Sequence, residues 1–357
     1  RITALPRYQV AIEKIDITAF LDLSTRIPVI DVRSPGEFSH ASIPGAYSLP
    51  LFTDEERKVV GTAYKQQGRE KAVKLGLDYF GVKMNRIIEE VLAHIQSKLK
   101  EGNAGNHEDA EAQRKSPIIV HCWRGGMRSA GVAWLLDLYG FKVYTLTGGY
   151  KAYRKWVLSC LGQEHTLNIL GGYTGSGKTE ILHHLIKKGE QVIDMEGIAS
   201  HKGSAFGALG MPPQPSQEMF ENVLALSIRR ASTPGKPIWI EDESQRIGLI
   251  NIPQSFWQMM RTRPVYFIDV PFESRLEFIT DSYGKRQKSE LAAAITRIQK
   301  RLGGLETKMA LNYLLEDNYL ECFRILLHYY DKLYSKALAN RPADNQQIFT
   351  IACNKPG

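Results

Sequence analysis

Cysteine is scarce. The 357-residue chain has four, Cys122, Cys160, Cys322 and Cys353, all far apart. No pair has metal-ligand spacing, and four cannot staple a chain this long, so a zinc module and a disulfide scaffold are excluded. No stretch reaches the ~18 consecutive apolar residues of a membrane-spanning helix, so a soluble chain with no membrane partner is expected. Residues 1–26 carry charges throughout and lack the apolar core of a secretion signal. The expected compartment is therefore cytoplasmic, where thiols stay reduced and a working cysteine is a nucleophile rather than a staple. Internal repeats and heptad runs are also missing. With 43% hydrophobic and 24% charged residues, wholesale disorder is excluded. Acids are outnumbered: 46 Lys and Arg face 38 Asp and Glu, a net charge of +8. That surplus permits a polyanionic partner without demanding one.

What is present alternates between two periods. Residues 28–32, 118–121 and 143–146 are short apolar runs that predict buried strands. Residues 128–139 predict a helix with Val132, Leu135, Leu136 and Tyr139 on one face. Strands interleaved with helices predict an α/β fold with a parallel sheet. A helical, basic stretch at about 51–100 interrupts it. Residues 101–115 follow, without apolar anchors, and predict a flexible surface loop. The pattern restarts near residue 163. Residues 166–170, Gln191–Ile193, 237–240 and 265–270 predict strands of a second α/β domain. Residues 272–341 turn helical, and Ile348–Ala352 predicts a last strand. The domains are thus placed at 1–162 and 163–357.

One cysteine stands in a reactive setting. His121-Cys122-Trp123-Arg124-Gly125-Gly126-Met127-Arg128-Ser129 lies between a predicted strand and a predicted helix. Unpaired N–H groups and the positive dipole end at a helix N-terminus favour a thiolate. Arg124 and Arg128 add positive charge. Gly125 and Gly126 are expected to let the backbone from Trp123 to Met127 curl, so that its N–H groups converge on one anion. These residues predict a nucleophilic thiolate beside a cradle for a tetrahedral anion. The plain alternative is a buried, inert thiol. Cys160, Cys322 and Cys353 lack such surroundings and are read as structural.

The run Asp31-Val32-Arg33-Ser34-Pro35-Gly36-Glu37-Phe38, the stretch HASIPG at 40–45 and the cysteine loop together resemble a rhodanese domain. The resemblance implies that the cysteine carries a transferable chalcogen and that Asp31 and Arg33 are scaffolding. The loop also has the Cys-x5-Arg spacing of tyrosine phosphatases and of rhodanese-fold phosphatases, one residue longer than is usual in sulfurtransferases. Two chemistries stay open at this point: chalcogen transfer by a rhodanese sulfurtransferase, and ester hydrolysis by a Cys-x5-Arg phosphatase.

The second domain opens on Gly172-Tyr173-Thr174-Gly175-Ser176-Gly177-Lys178-Thr179, a full G-x-x-x-x-G-K-[ST] match between a predicted strand and an amphipathic helix. Gly172, Gly175 and Gly177 allow close backbone approach to phosphates, with Ser176 between them. Lys178 supplies a point charge, and the Thr179 hydroxyl suits Mg²⁺. No other metal site is expected. Glu241 and Asp242, ending an apolar strand, are the candidate Walker-B-like acids, with Asp194 and Glu196 competing. His201 and the glycine-rich residues after it predict either a substrate-side loop or a surface turn. The spacing does not say which di- or triphosphate is held.

Two segments are basic. Arg57, Lys58, Lys65, Arg69, Lys71 and Lys74 face a single acid, Glu70, and are the candidate contacts for a nucleic-acid backbone. Residues 284–341 hold eleven Lys and Arg against six Asp and Glu, interleaved with tyrosines. Most of these tyrosines are expected to pack inside a helical bundle.

A third block lies between the two loops, from Glu56-Arg57 through Val60-Gly61-Thr62 and Tyr64-Lys65-Gln66-Gln67-Gly68 to Leu75-Gly76. With the form of the cysteine loop and the phosphate loop, it closely resembles the tRNA 2-selenouridine synthase family over almost the whole chain. The resemblance implies a transferase acting on tRNAs for Lys, Glu and Gln. Wobble 2-thiouridine would exchange sulfur for selenium from selenophosphate, by way of S-geranyl-2-thiouridine made from geranyl diphosphate. It implies that Cys122 handles the chalcogen and that Arg124 and Arg128 help to hold selenophosphate. Intact Cys122 and Lys178 argue against a degenerate, non-enzymatic binding module.

Overall fold

A computed structural model describes residues 12–101, 116–341 and 347–357. The loop expected at 101–115 lies outside them, except for Glu101, which ends a helix. The chain forms two compact units that divide between Val157 and Leu158, inside the helix Gly149–Leu161. The boundary expected at residue 162 thus falls just past the end of this helix.

The first unit is built on β1 (Glu13–Ile15), β2 (Val29–Asp31), β3 (Tyr47–Ser48), β4 (Pro117–His121) and β5 (Lys142–Leu146). All pairings are parallel, in the order β1-β5-β4-β2-β3. Ile30, Ile118, Ile119 and Val120 are fully buried. Burying each such side chain stabilises the fold by about 1.5–3 kcal/mol. From β2 the chain steps outward to β3; from β4 it steps the other way to β5. The carboxyl ends of β2 and β4 therefore flank a topological switch point, where open α/β sheets place ligands.

The segment after β3 forms three helices, Asp54–Gln66, Arg69–Gly81 and Met84–Glu101. Thr53 opens the first with a capping box: its hydroxyl accepts from the Glu56 N–H, and the Glu56 carboxylate accepts from the Thr53 N–H. The Lys83 ammonium also binds the Glu56 carboxylate. Ile87, Val91 and Ile95, spaced one helical turn apart, bury one face of the third helix against Phe52, Phe80 and the sheet core.

The second unit contains β6 (Leu167–Gly172), β7 (Gln191–Ile193), β8 (Ile238–Glu241), the antiparallel pair β9 (Arg246–Ile247) and β10 (Ile250–Asn251), then β11 (Val265–Asp269) and β12 (Ile348–Ala352). Its main sheet is parallel, in the order β12-β11-β6-β8-β7. The order reverses at β6, so the loop after β6 opens on the ligand crevice. The helices Phe272–Tyr283, Lys288–Leu302, Gly304–Leu315 and Tyr319–Ala339 share a separate core. Tyr283, Tyr313, Tyr319, Tyr329 and Tyr330 pack into or against it, as packing residues. Among the described residues no helix is long and apolar enough to cross a membrane.

Candidate active site

Cys122 follows β4 and precedes the helix Met127–Tyr139. The start of its loop is stitched to a neighbouring turn. The Tyr150 N–H donates to the Cys122 carbonyl (2.8 Å) and the Lys151 N–H to the Trp123 carbonyl (2.9 Å). Gly125 has φ +64°, and a Cβ there would lie 2.6 Å from the Leu146 carbonyl oxygen. Only glycine fits such a contact with that backbone. Gly126 corrects the expectation: its φ is −101°, and a Cβ there would meet open space. The curl depends on Gly125, not on both glycines.

Cys122 is buried, with Sγ 3.3 Å from the Ser129 hydroxyl. Burial pushes its thiol pKa up. The Ser129 hydroxyl, the N–H groups of Ser129 and Arg124, and the charge of Arg128 outweigh burial and hold it below the ordinary thiol value. Burial takes Cys160 to about 11 and Cys322 to about 12, so those thiols stay protonated. Iodoacetamide should therefore label Cys122 with a midpoint pH below that of an ordinary thiol. Ser129→Ala should move that midpoint upward, because the lost hydrogen bond favours the thiolate. Peptide mass analysis reads the labelling, and an unmoved midpoint would show that the hydroxyl does not carry the effect.

Arg128 is engaged by an acid. It donates to Glu37 Oε2 at 2.6 Å, and Arg57 Nε lies 3.0 Å from the same oxygen. Burial raises the Glu37 pKa, but Arg128, the Ser34 N–H and Arg57 bring it down to about 2. This convergence brings the helix Asp54–Gln66 to the cysteine loop. A cavity of about 570 Å³ opens beside them, walled by Phe52, Arg57, Lys58, Tyr64 and Lys65 opposite Cys122, Trp123, Arg124, Met127 and Arg128. Three of the six basic residues expected to meet nucleic acid thus line the same cavity as the thiol. The other three do not. Gly68, at φ +87°, breaks the run, and Arg69, Lys71 and Lys74 sit on the next helix, where Lys74 pairs with Glu70 at 2.9 Å. Asp31 and Arg33 form a buried two-point pair, and Arg33 also donates to the Ala41 carbonyl (2.8 Å).

The phosphate loop follows β6. Gly175 and Gly177 have φ of +80° and +78°, and the helix Lys178–Lys187 starts at Lys178. The Lys178 ammonium donates to the Gly172 carbonyl (2.9 Å) and lies 5.3 Å from the centre of the Tyr334 ring. Ser176 Oγ is buried with no hydrogen-bond partner, and Thr179 is half-buried. Arg275 fixes the loop: it donates to the Thr174 carbonyl (3.1 Å) and pairs with Asp331 (2.8 Å) on the helix Tyr319–Ala339.

The two Walker-B-like candidates separate here. Glu241 ends β8, the strand beside β6, and is buried. Its Oε1 accepts from the Glu196 N–H (2.7 Å), and its Oε2 has no partner. Burial, with Asp194 and Glu196 nearby, raises its pKa to about 8. Asp242 is held instead in an ion pair by Arg341 at 2.5 Å, which corrects its candidacy. Asp194 caps the helix Met195–Ala199, accepting from the Gly197 N–H (2.7 Å). The loop after His201 is no surface turn: Phe206 is buried, and the Ala205 N–H donates to the Tyr330 hydroxyl (3.1 Å).

Residues 165–351 match the family model described as the tRNA 2-selenouridine synthase AAA domain, and residues 17–155 match the rhodanese-like domain. A tRNA 2-selenouridine synthase of Nitrosomonas europaea is 33% identical over 91% of this chain and 92% of its own. The chain belongs to the tRNA 2-selenouridine synthase family. Relatives of the same name from Hydrogenovibrio crunogenus (34% identical over 86% of this chain and 88% of that protein) and Bdellovibrio bacteriovorus (36%, 88% and 90%) are similar along the same length.

Within this family member, sequence reasoning passed over four contributors. Glu37 stood in the rhodanese-like run without a role as partner of Arg128. Ser129 stood in the cysteine loop without its link to sulfur. Glu243 is buried, and burial with Glu196 and Glu241 nearby pushes its pKa well up; the acid run 241–243 was its signal. Arg275 had no signal, since one arginine on an amphipathic helix reads as surface charge.

Proposed function

We propose that this protein is a tRNA-modifying transferase that replaces the sulfur of wobble 2-thiouridine by selenium. Selenophosphate is the selenium donor, and geranyl diphosphate supplies an alkyl group that activates the sulfur. In the first step the thiouridine sulfur attacks C1 of the geranyl group, the C–O bond breaks, and diphosphate leaves. In the second, the Cys122 thiolate displaces geranylthiol at C2, the selenium of selenophosphate then displaces the cysteine, and water releases the phosphoryl group as phosphate. The phosphate loop is the diphosphate seat in this reading, with Lys178 as its point charge. A Mg²⁺ ion accompanying the diphosphate would be held by the Thr179 hydroxyl and by Glu241, whose buried Oε2 accepts no hydrogen bond. The cysteine loop is the selenophosphate seat, with Arg124 and Arg128 at its rim.

The observation that carries this reading is Cys122 itself: a thiol held below its ordinary pKa beside a helix N-terminus, in a cavity walled by cations. A phosphatase needs a general acid near the leaving group, and among the described residues no Asp or Glu lines this cavity. The test is direct. The protein is incubated with 2-thiouridine tRNA and selenophosphate, with and without geranyl diphosphate, and the nucleosides are analysed by mass. A 2-selenouridine peak is expected; its absence alongside p-nitrophenyl phosphate hydrolysis would favour the phosphatase.

The tRNAs for Lys, Glu and Gln are the proposed macromolecular substrates. Lys65→Glu and Arg69→Glu should separate two kinds of contact. Lys65 lines the cavity, so its reversal should weaken tRNA binding and lower the salt slope by about one. Arg69 lies off the cavity, so its reversal should do less. Affinity measured across a salt series decides, and equal effects would show that the cavity is not where the backbone is gripped.

A further inference from the structure

We propose that the cavity over Cys122 is a seat for a single unstacked nucleotide, its base lying on the Trp123 indole and its flanking phosphates meeting Arg57, Lys58 and Lys65. The proposal rests on the reading of RNA as substrate and names how that RNA is held.

The first observation is a platform fixed in advance. Trp123 is 37% exposed, beside the thiol, on the cavity wall. Behind it lies the fully buried Tyr150 ring, 5.5 Å between centroids. The Arg33 guanidinium sits 3.8 Å from the Tyr150 ring centre and 6.0 Å from that of Trp123. Arg33 is itself immobilised by Asp31 and the Ala41 carbonyl. With its own carbonyl tied to the Lys151 N–H, the indole is held from behind by a buried cation–aromatic stack and open on the other side. A ring ordered before binding gives up little entropy when a ligand stacks on it.

The second observation is the chemistry of the walls. They combine cations with exposed flat and soft surface, Tyr64 at 52% and Met127 at 51% exposed, and among the described residues contain no carboxylate. Flat faces among cations suit a base with its phosphates and repel a cationic ligand. The third is size. At about 570 Å³ the cavity is in the range of organic ligand sites, well beyond what a tetrahedral anion fills. A paired, stacked base cannot reach a sulfur buried on such a floor, so the nucleotide must come from a loop or leave its stack.

The test compares a hairpin RNA with a single-stranded uridine-containing loop against a duplex of the same stem without the loop. Trp123→Ala should weaken loop binding about tenfold or more, as loss of one base stack does. Duplex binding and the salt slope should be unchanged, since no charge is removed. Trp123→Phe, which keeps a ring, should restore most of the loss. Trp123→Leu, which keeps apolar bulk without a ring, should not. Labelling of Cys122 by iodoacetamide reports that the loop is intact in each variant. Wild-type affinity in Trp123→Leu, or no preference of the wild type for loop over duplex, overturns the seat while leaving tRNA as substrate. Failure of the wild type to bind either RNA overturns the substrate reading and the seat with it.

Discussion

Serine at position 122 is expected to abolish selenium incorporation, by more than about 10³-fold, the scale on which a lost nucleophile is felt, while the proposed geranylation of the thiouridine sulfur continues. The expectation follows from what the loop does to its central atom. Ser129, two N–H groups and Arg128 overcome burial and hold the Cys122 thiol below its ordinary pKa. The same surroundings acting on an alcohol, which starts far less acidic, leave it protonated and unreactive. The substitution changes one atom, so loop and cavity persist. In the proposed reaction alkyl transfer asks for no thiol, because the nucleophile would be the base's own sulfur and the leaving group diphosphate. Nucleoside mass analysis of both products checks the split. Selenation retained in Cys122→Ser would remove the thiol from the chemistry altogether.

The second large effect is at Lys178. Its ammonium donates to the Gly172 carbonyl, at the mouth of the phosphate loop, where arriving phosphate oxygens are stronger acceptors. Lys178→Ala removes the one flexible cation of the P-loop motif, and geranylation should fall about 10²–10³-fold, as when one preorganised group facing transition-state charge is lost. Calorimetry with geranyl diphosphate and with ATP should show the first ligand losing affinity. Unchanged geranylation with loss of ATP binding would assign the loop to a nucleotide and require another seat for the prenyl diphosphate.

The architecture was legible where burial is two-sided. β2, β4, β6 and β11 are mostly buried along their length and read as predominantly apolar runs, and the bounds of β7 and β12 coincide with the expected strands. The edge strand β1, Glu-Lys-Ile, and the two-residue β3 have no such pattern and were missed, as was the β9–β10 pair. The loops were legible because their chemistry is local: Cys122 and Lys178 act through neighbours in sequence. What was not legible is tertiary. The basic run from Arg57 looked like one surface until Gly68 divided it and Glu37 drew its first member to the thiol. Asp242 looked equivalent to Glu241 until Arg341, from the far end of the helical region, claimed it. Adjacent acids past a strand end carry nothing in their order that tells which is spoken for.

Glu37 serves two masters, with Arg128 from the cysteine loop and Arg57 from the cavity wall on one carboxylate oxygen. Their contributions are therefore not additive. An anion that draws Arg128 into the loop leaves Glu37 wholly to Arg57 and tightens the hold on the helix Asp54–Gln66. By reciprocity, a polyanion that captures Arg57 releases Glu37 to Arg128 and weakens the loop's grip on its anion. One shared counter-charge thus makes the two occupants of the cavity sense each other.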